Sequence, residues 1–437
     1  MPVTVTQRPI QSRTRNAFSG GGGGGGDSFA LRDPNGDNDK YFNPNAGSDG
    51  TGTFASPWNA LTSARVAALT AGQGLWCRGG GVAYAWPDTT GAISGTSNNR
   101  TLVATYPGDA QFEFTFTGNG ARLGGGSFWR MQNLKFTVAT TGLCTAEQQH
   151  FNGGVTSNSI DFVDITGVQT GGAWTDNQGI IFSTIGNGHR IIRGNYSGPA
   201  GQTANQSLLW FDYPYNLSII GVLLDQSANP IYFKHTSWNS AANPLGTIQN
   251  CIVRRGGRGV RAQANYQTWI NCAFDACGLG LDEDDGSMAG GNNSTINHCT
   301  FLNSNALGAA EATSATRCTN VSANNNVLTG TSLWMDAPYE ATDKNTTINY
   351  SAVNGSATNH YYRNSTAYTM AGYNTFDSTQ EVNGLAGTVT LVGGATPGST
   401  AANWALASGS IGIGNASDGG DRGVNAARLL TIDGWTP

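Results

Sequence analysis

Three acidic side chains stand close together in a chain that otherwise carries little charge. Asp, Glu, Lys and Arg make up only 12% of the 437 residues, about half the usual share in a soluble domain. Asp282, Asp284 and Glu311 are candidates for acid and base catalysis on a glycosidic bond, because that chemistry needs two carboxyl groups flanking the bond. One acid would protonate the leaving oxygen, with its pKa raised by its like-charged neighbours, and another would activate water or attack directly.

Aromatic and basic side chains that suit a sugar ligand recur in strand-like phrases on both sides of these acids. The apolar C–H face of a sugar ring stacks on an aromatic ring, and its hydroxyls pair with carboxylates and amides. An acidic glycan also needs cations to orient it. On these grounds we predict a substrate-binding set of three aromatic residues, two basic residues and one further acid: Trp210, Tyr232, Trp334, Lys234, Arg261 and Asp336.

The elements that must position these residues are short strands separated by polar turns. Aligning Gly221 or Val222 with Cys251, Cys272, Cys299 and Asn326 gives a loose repeat with spacings of 30, 21, 27 and 27 residues, counted from Gly221. A repeat of 20–30 residues built from strands is typical of a solenoid. Amphipathic helices of 10–15 residues are missing between the strands, and a propeller blade needs 40 or more residues. The sequence therefore predicts a parallel β-helix with one coil per repeat and a rise of about 4.8 Å per coil.

Stacked coils place equivalent residues in columns. We expect an inward column of Cys or Val and a turn column formed by Asn250, Asn271 and Asn297. The same alignment sets Val260-Arg261 over Leu281-Asp282 and so directs Arg261 and Asp282 outward.

The outward face then continues through the other predicted site residues, namely Trp210, Tyr232, Lys234, Asp284, Glu311, Trp334 and Asp336. Adjacent coils would bring Asp284 and Glu311 about 5 Å apart, and the diagonal pair Asp282 and Glu311 would be nearer to about 8 Å apart. These spacings suit retaining and inverting glycosidases respectively, so the ladder predicts hydrolysis without predicting its stereochemistry. A slip of one residue would exchange the inward and outward sets.

Composition excludes several classes of protein. Aromatics make up 10% of the chain and its net charge is only −5, which argues against intrinsic disorder and against a duplex nucleic-acid partner. An apolar run of 18 residues is missing, so we expect no membrane span. The seven cysteines are an odd number without tight spacing, which predicts small buried residues and neither a disulfide framework nor a metal site.

Two segments carry a resemblance to a known superfamily. YFNPNAGSDGTGTFASPWNAL, from residue 41, resembles the opening strand, Gly/Asp loop and short helix of the pectate-lyase-like right-handed parallel β-helix proteins, and NWALASGSIGIGNASDGGDRG (403–423) resembles their closing segment, which folds over the last coil. The resemblance implies an all-β, right-handed, single-stranded parallel β-helix over residues 41–425, followed by a tail at 426–437. It is specific for the fold, because the superfamily includes lyases, hydrolases, epimerases and binding proteins.

The front of the chain differs from secreted members of that superfamily. Residues 1–40 contain Arg8, Arg13, Arg15 and a run of seven glycines, Gly20 to Gly26, and lack the apolar centre of a secretory signal. A β-helix behind such a peptide resembles a bacteriophage tailspike. That resemblance implies a virion or extracellular location, docking to other tail proteins through residues 1–40, a homotrimer, and a bacterial surface polysaccharide as the partner.

Two other functions remain open at this point. A non-enzymatic virion adhesin, decoration or structural subunit would share the fold and the N-terminal segment. A polysaccharide lyase would use Lys234 or Arg261 to abstract the proton next to a uronate, as related lyases do, with Ca²⁺ held by Asp282, Asp284 and Asp285. The hydrolase needs no cofactor, and among these hypotheses the lyase alone implies Ca²⁺.

Overall fold

A computed structural model describes most of the chain. The described residues are 31–87, 95–117, 127–139, 148–151, 157–170, 178–198, 207–227, 229–236, 240–256, 259–280, 291–304, 306–307, 320–332, 334–335, 347–355, 358–363, 366–376 and 378–432. They form the predicted parallel β-helix, whose coils build three sheets of almost entirely parallel strands.

Sheets 1 and 2 each contain twelve described strands. Sheet 1 is built from Lys40–Phe42, Gly74–Cys77, Thr101–Thr105, Trp129–Gln132, Asp161–Val163, Arg190–Ile192, Leu217–Ile220, Gly246–Gln249, Gln267–Ile270, Thr295–Asn297, Ser322–Asn324 and Thr347–Asn349. Sheet 2 is built from Ala83–Ala85, Phe112–Thr117, Leu134–Ala139, Thr166–Thr170, Asn195–Ser197, Leu223–Ser227, Ile252–Gly256, Ala273–Asp275, Thr300–Leu302, Val327–Thr329, Ala352–Asn354 and Leu385–Gly387.

Sheet 3 contains the predicted site residues Trp210, Tyr232, Lys234, Arg261 and Trp334 and is less regular. Its strands are Gln148–Phe151, Ser157–Asn158, Gln178–Asn187, Ser207–Tyr215, Asn229–Thr236, Val260–Ala264, Leu279–Gly280, Ala306–Leu307, Trp334–Met335, Tyr361–Arg363 and the antiparallel Thr366–Tyr368. Short helices occur at Ser63–Ala67 and Met370–Phe376, with 3₁₀ turns at Gly36–Asn38 and Ala401–Trp404. None of the helices in the described part of the chain is long and apolar enough to cross a membrane.

The core is a set of inward columns. One residue in every sheet 1 strand from Gly74–Cys77 onward points inward and is essentially fully buried, in the order Leu75, Val103, Met131, Phe162, Ile191, Ile219, Ile248, Trp269, Ile296, Ala323 and Ile348. Large apolar residues repeat at this position because parallel coils stack like on like and remove each side chain from water.

The turn between sheets 1 and 2 follows the predicted repeat. Successive backbone bonds link Ile252 N to Val222 O, Ala273 N to Cys251 O and Thr300 N to Cys272 O, which confirms the inward column of Val and Cys. All the cysteines among the described residues are buried and free of disulfides. Burial raises the pKa of the Cys251 thiol well above its ordinary value, so this column consists of inert packing groups.

The turn column differs by one residue from the prediction. The residue just before each inward side chain has a positive φ of +52° to +57°, and these residues are Asn250, Asn271, His298 and Asn325. Asn297 is the last residue of its strand, so its predicted place in the column was wrong. Asn suits the column because it tolerates the left-handed conformation and its amide bonds to the coils beside it: Asn271 Nδ2 donates to Asn250 Oδ1 at 2.8 Å.

The segment 412–432 lies along this turn column, and we call it the C-terminal strap. Gly423 N donates to Asn325 O, and Leu430 N donates to Asn250 O, both at 2.7 Å. Val424 and Leu429 pack on the outside of sheet 2, and Ile432 packs on Ile192 and Ile220 of sheet 1. The predicted closing segment therefore does not stop at the last coil but runs back across several coils.

Substitution of Asn271 tests the strap. We expect Asn271→Ala to lower the free energy of unfolding by about 2–3 kcal/mol, because alanine is strained at positive φ and the amide bonds to Asn250 and Asn425 are lost. Asn271→Gly relieves the strain and should recover about 1 kcal/mol of that loss. Urea unfolding of the three proteins measures both contributions, and equal stability of the alanine and glycine variants would contradict the backbone part of the argument.

At the other end, the solenoid begins with the strand Lys40–Phe42. Residues just before that strand already contact the solenoid: the Arg32 backbone exchanges two hydrogen bonds of 3.1 Å with the Gln132 side chain of the strand Trp129–Gln132. Residues 1–30, with the glycine run, lie outside the described residues. Attachment to a virion through residues 1–40 and the homotrimer stay predictions.

Candidate functional site

Three predicted site residues share one outward column of sheet 3. Trp210 pairs in register with Tyr232, and Tyr232 pairs with Arg261, which confirms their predicted alignment on successive coils. The Trp210 and Tyr232 rings meet edge to face, 4.4 Å apart between centroids. The Arg261 guanidinium carbon lies 4.6 Å from the centroid of the Tyr232 ring, a cation–π distance. We call these three side chains the Trp210 stack.

The Trp210 stack is well covered. Trp210, Tyr232 and Arg261 are only 3%, 5% and 8% exposed, although they point away from the main core. A sugar stacks only on an open ring face, and neither ring presents one. Tyr232 therefore acts on Arg261, because its ring covers one face of the guanidinium, and Trp210 in turn packs against Tyr232.

The structure corrects the predicted place of Trp334. Trp334 pairs with Ala306 on one side and Tyr361 on the other, in the inward column that also contains Val260 and Leu279. It is 1% exposed and belongs to the main core, so it is not an outward sugar platform. The error is the slip of one residue that exchanges the two faces of a strand.

The predicted register below Arg261 is also shifted. Val260 lies beside Leu279 and Arg261 beside Gly280, two residues earlier than the predicted partners Leu281 and Asp282. The cause is the corner after sheet 2: six positions separate Arg254 from Val260, whereas four separate their partners Asp275 and Leu279. A register shift of two residues preserves the alternation of inward and outward side chains along the strand.

The side chains of the remaining predicted site residues lie outside the part of the chain that the structure describes. Lys234 pairs through its backbone with Asp212 in the expected register. The side chain of Lys234 and the whole of Asp282, Asp284, Asp285, Glu311 and Asp336 lie outside the described residues. Their catalytic and binding roles stay predictions.

A second group of charged residues, which the sequence reasoning missed, lies on the outer face of sheet 1. Arg130, Asp161 and Arg190 occupy one outward column on three successive coils. Asp161 is fully buried and accepts two bonds of 2.7 Å from Arg190 and two of 3.1 Å from Arg130. Arg100 adds a third guanidinium 3.4 Å from the same carboxylate. Extending the repeat alignment upward from Gly221 would have stacked these residues.

A cavity of about 270 Å³ opens beside this group, and we call it the arginine cavity. Its charged lining is Arg32, Arg100 and Arg130, and its other lining residues include Asn35, Asn98 and Asn99. Arg32 is held by Asp39 at 2.8 Å. Among the described residues, groups of three or more His, Cys, Asp or Glu side chains that could hold a metal ion are absent.

Comparisons with known proteins find structural likeness alone. No protein-family model matches the chain, and no curated protein matches it. The fold is similar to a pectate lyase, Pel9A, with a TM-score of 0.44 and 13% identity over 90% of this chain and 97% of that one. It is also similar to a rhamnogalacturonan lyase (TM-score 0.45, 13% identity, 79% and 87% of the two chains) and to the GH136 lacto-N-biosidase from Eubacterium ramulus (TM-score 0.43, 10% identity, 80% and 68%).

Proposed function

We propose that this β-helix binds an acidic bacterial surface polysaccharide along the outer face of sheet 3 and hydrolyses it there. The observation that carries the proposal is the Trp210 stack, in which Trp210, Tyr232 and Arg261 follow one another on successive coils and the Tyr232 ring packs against the guanidinium. The planar fork of donors on arginine matches a carboxylate of the glycan, which can accept two parallel hydrogen bonds from it.

The aspartates proposed for acid and base catalysis follow the Trp210 stack in sequence. Gly280, the register partner of Arg261, precedes Asp282 by two residues and Asp284 by four. In the proposal Arg261 and Lys234 orient the acidic sugar, and the two aspartates with Glu311 protonate the leaving oxygen and activate water.

The substitution Arg261→Gln tests the binding step. We expect purified acidic surface polysaccharide to yield new reducing ends, and Arg261→Gln to raise KM about tenfold to a hundredfold, because a charge-assisted hydrogen bond contributes about 1.5–3 kcal/mol. Arg255→Gln is the matched control: it removes an arginine of the same coil from the outside of sheet 2 and should leave KM unchanged.

Absorbance of unsaturated uronates, read on the same samples, identifies the reaction. Reducing ends without this absorbance indicate hydrolysis, and kcat should then collapse in Asp282→Asn, Asp284→Asn or Glu311→Gln. Reducing ends with it would replace the hydrolase by a lyase that uses Lys234 or Arg261. Binding without any release would make the protein an adhesin.

A further inference from the structure

A cavity of about 370 Å³ lies on the corner between sheets 1 and 2, at the start of the solenoid, and we call it the corner cavity. The turns that follow the first three strands of sheet 1 each contribute one polar side chain to it, in the order Asn43, Arg78 and Asp109. The rest of its described lining is Gly79, Gly80 and Ala110. The corner cavity is therefore separate from the Trp210 stack, which belongs to sheet 3.

Two aromatic rings hold the Arg78 side chain at this cavity. Its guanidinium carbon lies 4.8 Å from the centroid of the Phe54 ring and 4.8 Å from that of the Tyr106 ring, both cation–π distances. Asp109 Oδ2 is 3.9 Å from Arg78 Nε, which is too far for a hydrogen bond. Within the described part of the chain the guanidinium makes no hydrogen bond at all, although its Nε atom is buried.

Other arginines that lie over aromatic rings are hydrogen-bonded as well. Arg65 lies 5.1 Å from the Trp58 ring, and its two Nη atoms donate to Asp49 at 2.9 and 2.6 Å. Arg422 lies over a tyrosine ring and donates to three backbone carbonyl oxygens. A buried donor without a partner costs free energy and calls for a functional reason. The rings fix Arg78, whose side chain is 31% exposed, and leave its terminal N–H groups available to a ligand.

The charges at the corner cavity suit a neutral ligand. Among its described lining residues Arg78 and Asp109 are the charged ones, one of each sign, so neither a cation nor an anion gains a net attraction. The pair offers donors beside acceptors, and the Asn43 side chain, whose Oδ1 accepts from Asn45 N at 3.0 Å, adds further donors. Adjacent hydroxyls of a sugar ring both donate and accept. A volume of about 370 Å³ is near the lower end for small-molecule sites, which fits one sugar residue.

We propose that the corner cavity binds a single neutral sugar residue, whose adjacent hydroxyls accept hydrogen bonds from Arg78 and donate to Asp109. That the ligand is a sugar rests on the proposed function, whereas its neutrality rests on the Arg78–Asp109 pair. A glycan chain that contacts both this cavity and the Trp210 stack is held more tightly, because the second contact becomes intramolecular.

Saturation-transfer NMR on the full chain tests the site with glucose, galactose, mannose and rhamnose as probes. We expect at least one of these sugars to bind at millimolar concentration, and cyclohexanol, a ring with a single hydroxyl, to give no transfer. Inorganic sulfate should not compete with the bound sugar. Competition by sulfate would indicate an anion site and overturn the proposal, as would the absence of transfer to any of the four sugars.

Two variants locate the binding. Arg78→Gln removes the donors and Asp109→Asn removes the carboxylate, and each should weaken sugar binding by about tenfold or more, because hydrogen bonds to charged groups are the strong ones. The Asp109 side chain makes no hydrogen bond within the described structure, so Asp109→Asn keeps the test valid if Arg78→Gln proves unstable.

Arg65→Gln is the matched control. It removes another arginine that lies over an aromatic ring in the first coils, but one outside the cavity lining, so sugar binding should be unchanged. Equal binding by Asp109→Asn and Arg65→Gln, with unchanged thermal stability, would place the sugar elsewhere and contradict the inference.

Reducing-end release from the polysaccharide separates this inference from the proposed function. Sugar binding that Asp109→Asn weakens, in a protein that never releases reducing ends, would support the corner cavity and refute the hydrolase. Release that Arg261→Gln impairs, in a protein whose sugar binding is insensitive to Asp109→Asn, would do the reverse.

Discussion

Replacing Asp161 by asparagine is expected to lower the free energy of unfolding by about 3–5 kcal/mol, the cost of leaving buried charges without their partner. Asp161 is fully buried and is the common partner of Arg100, Arg130 and Arg190, whose side chains are at most 13% exposed. Without the carboxylate, three guanidinium groups would face one another in a region with little water. Urea unfolding, followed by tryptophan fluorescence, measures the loss.

Asp164→Asn is the matched control. Asp164 pairs with a single arginine, Arg193, through two bonds of 2.8 Å, and both side chains are more than a quarter exposed. An exposed pair of this kind contributes about 0–1 kcal/mol, and asparagine accepts the positive φ of this position. Similar losses of unfolding free energy in the two variants would show that burial does not increase the contribution of Asp161 to stability.

Acid is expected to destabilise the protein through His189, by up to about 3 kcal/mol between pH 6.5 and pH 4. Burial lowers the pKa of His189 from 6.5 to about 4; the nearby Asp161 opposes this shift and Arg100 reinforces it. The folded protein keeps this ring neutral until the pH reaches about 4, while the unfolded chain takes up a proton near pH 6.5. Because the unfolded state binds more protons in this interval, stability is complete above pH 6.5 and falls as the pH falls.

The measurement compares His189→Gln with His298→Gln. Glutamine at 189 removes the titrating ring and keeps an acceptor for the Ile160 N–H, which His189 Nδ1 accepts at 3.2 Å. Between pH 7 and pH 4.5 we expect this variant to lose about 2–3 kcal/mol less than the unmodified protein. His298 contacts the strap at the surface, and its replacement leaves His189 in place, so the acid dependence should persist. A His189→Gln variant with the full acid dependence would assign the effect to other groups.

The fold could be predicted because its signal is periodic. Every coil buries a side chain at the same inward position. The repeat around Cys251, Cys272 and Cys299 therefore identified the inward column without any long-range information. The alignment of Trp210, Tyr232 and Arg261 succeeded for the same reason. It depends on strands long enough to show alternation, Ser207–Tyr215 and Asn229–Thr236 among them.

The failures occur where this signal is short or broken. Trp334 lies in a strand of two residues, Trp334–Met335, which is too short to reveal which side chain faces inward. The position of Asp282 depended on the length of a corner, and corners between sheets 2 and 3 vary by insertion without disturbing the core. The coils that the strap contacts lie far from it in sequence, as in the bond between Asn425 and Asn271, which are 154 residues apart, so no local pattern predicts them.

The strap sets an order of events during synthesis on the ribosome. Coils can stack one after another as they emerge, since each needs only the coil before it. The strap follows all of these coils in the sequence, and it covers Ile252, Ala273 and Leu302 on the outside of sheet 2. Until residues 424–430 have left the exit tunnel, this apolar strip is open to water, and it is the surface that a chaperone, or a neighbouring nascent chain, would meet.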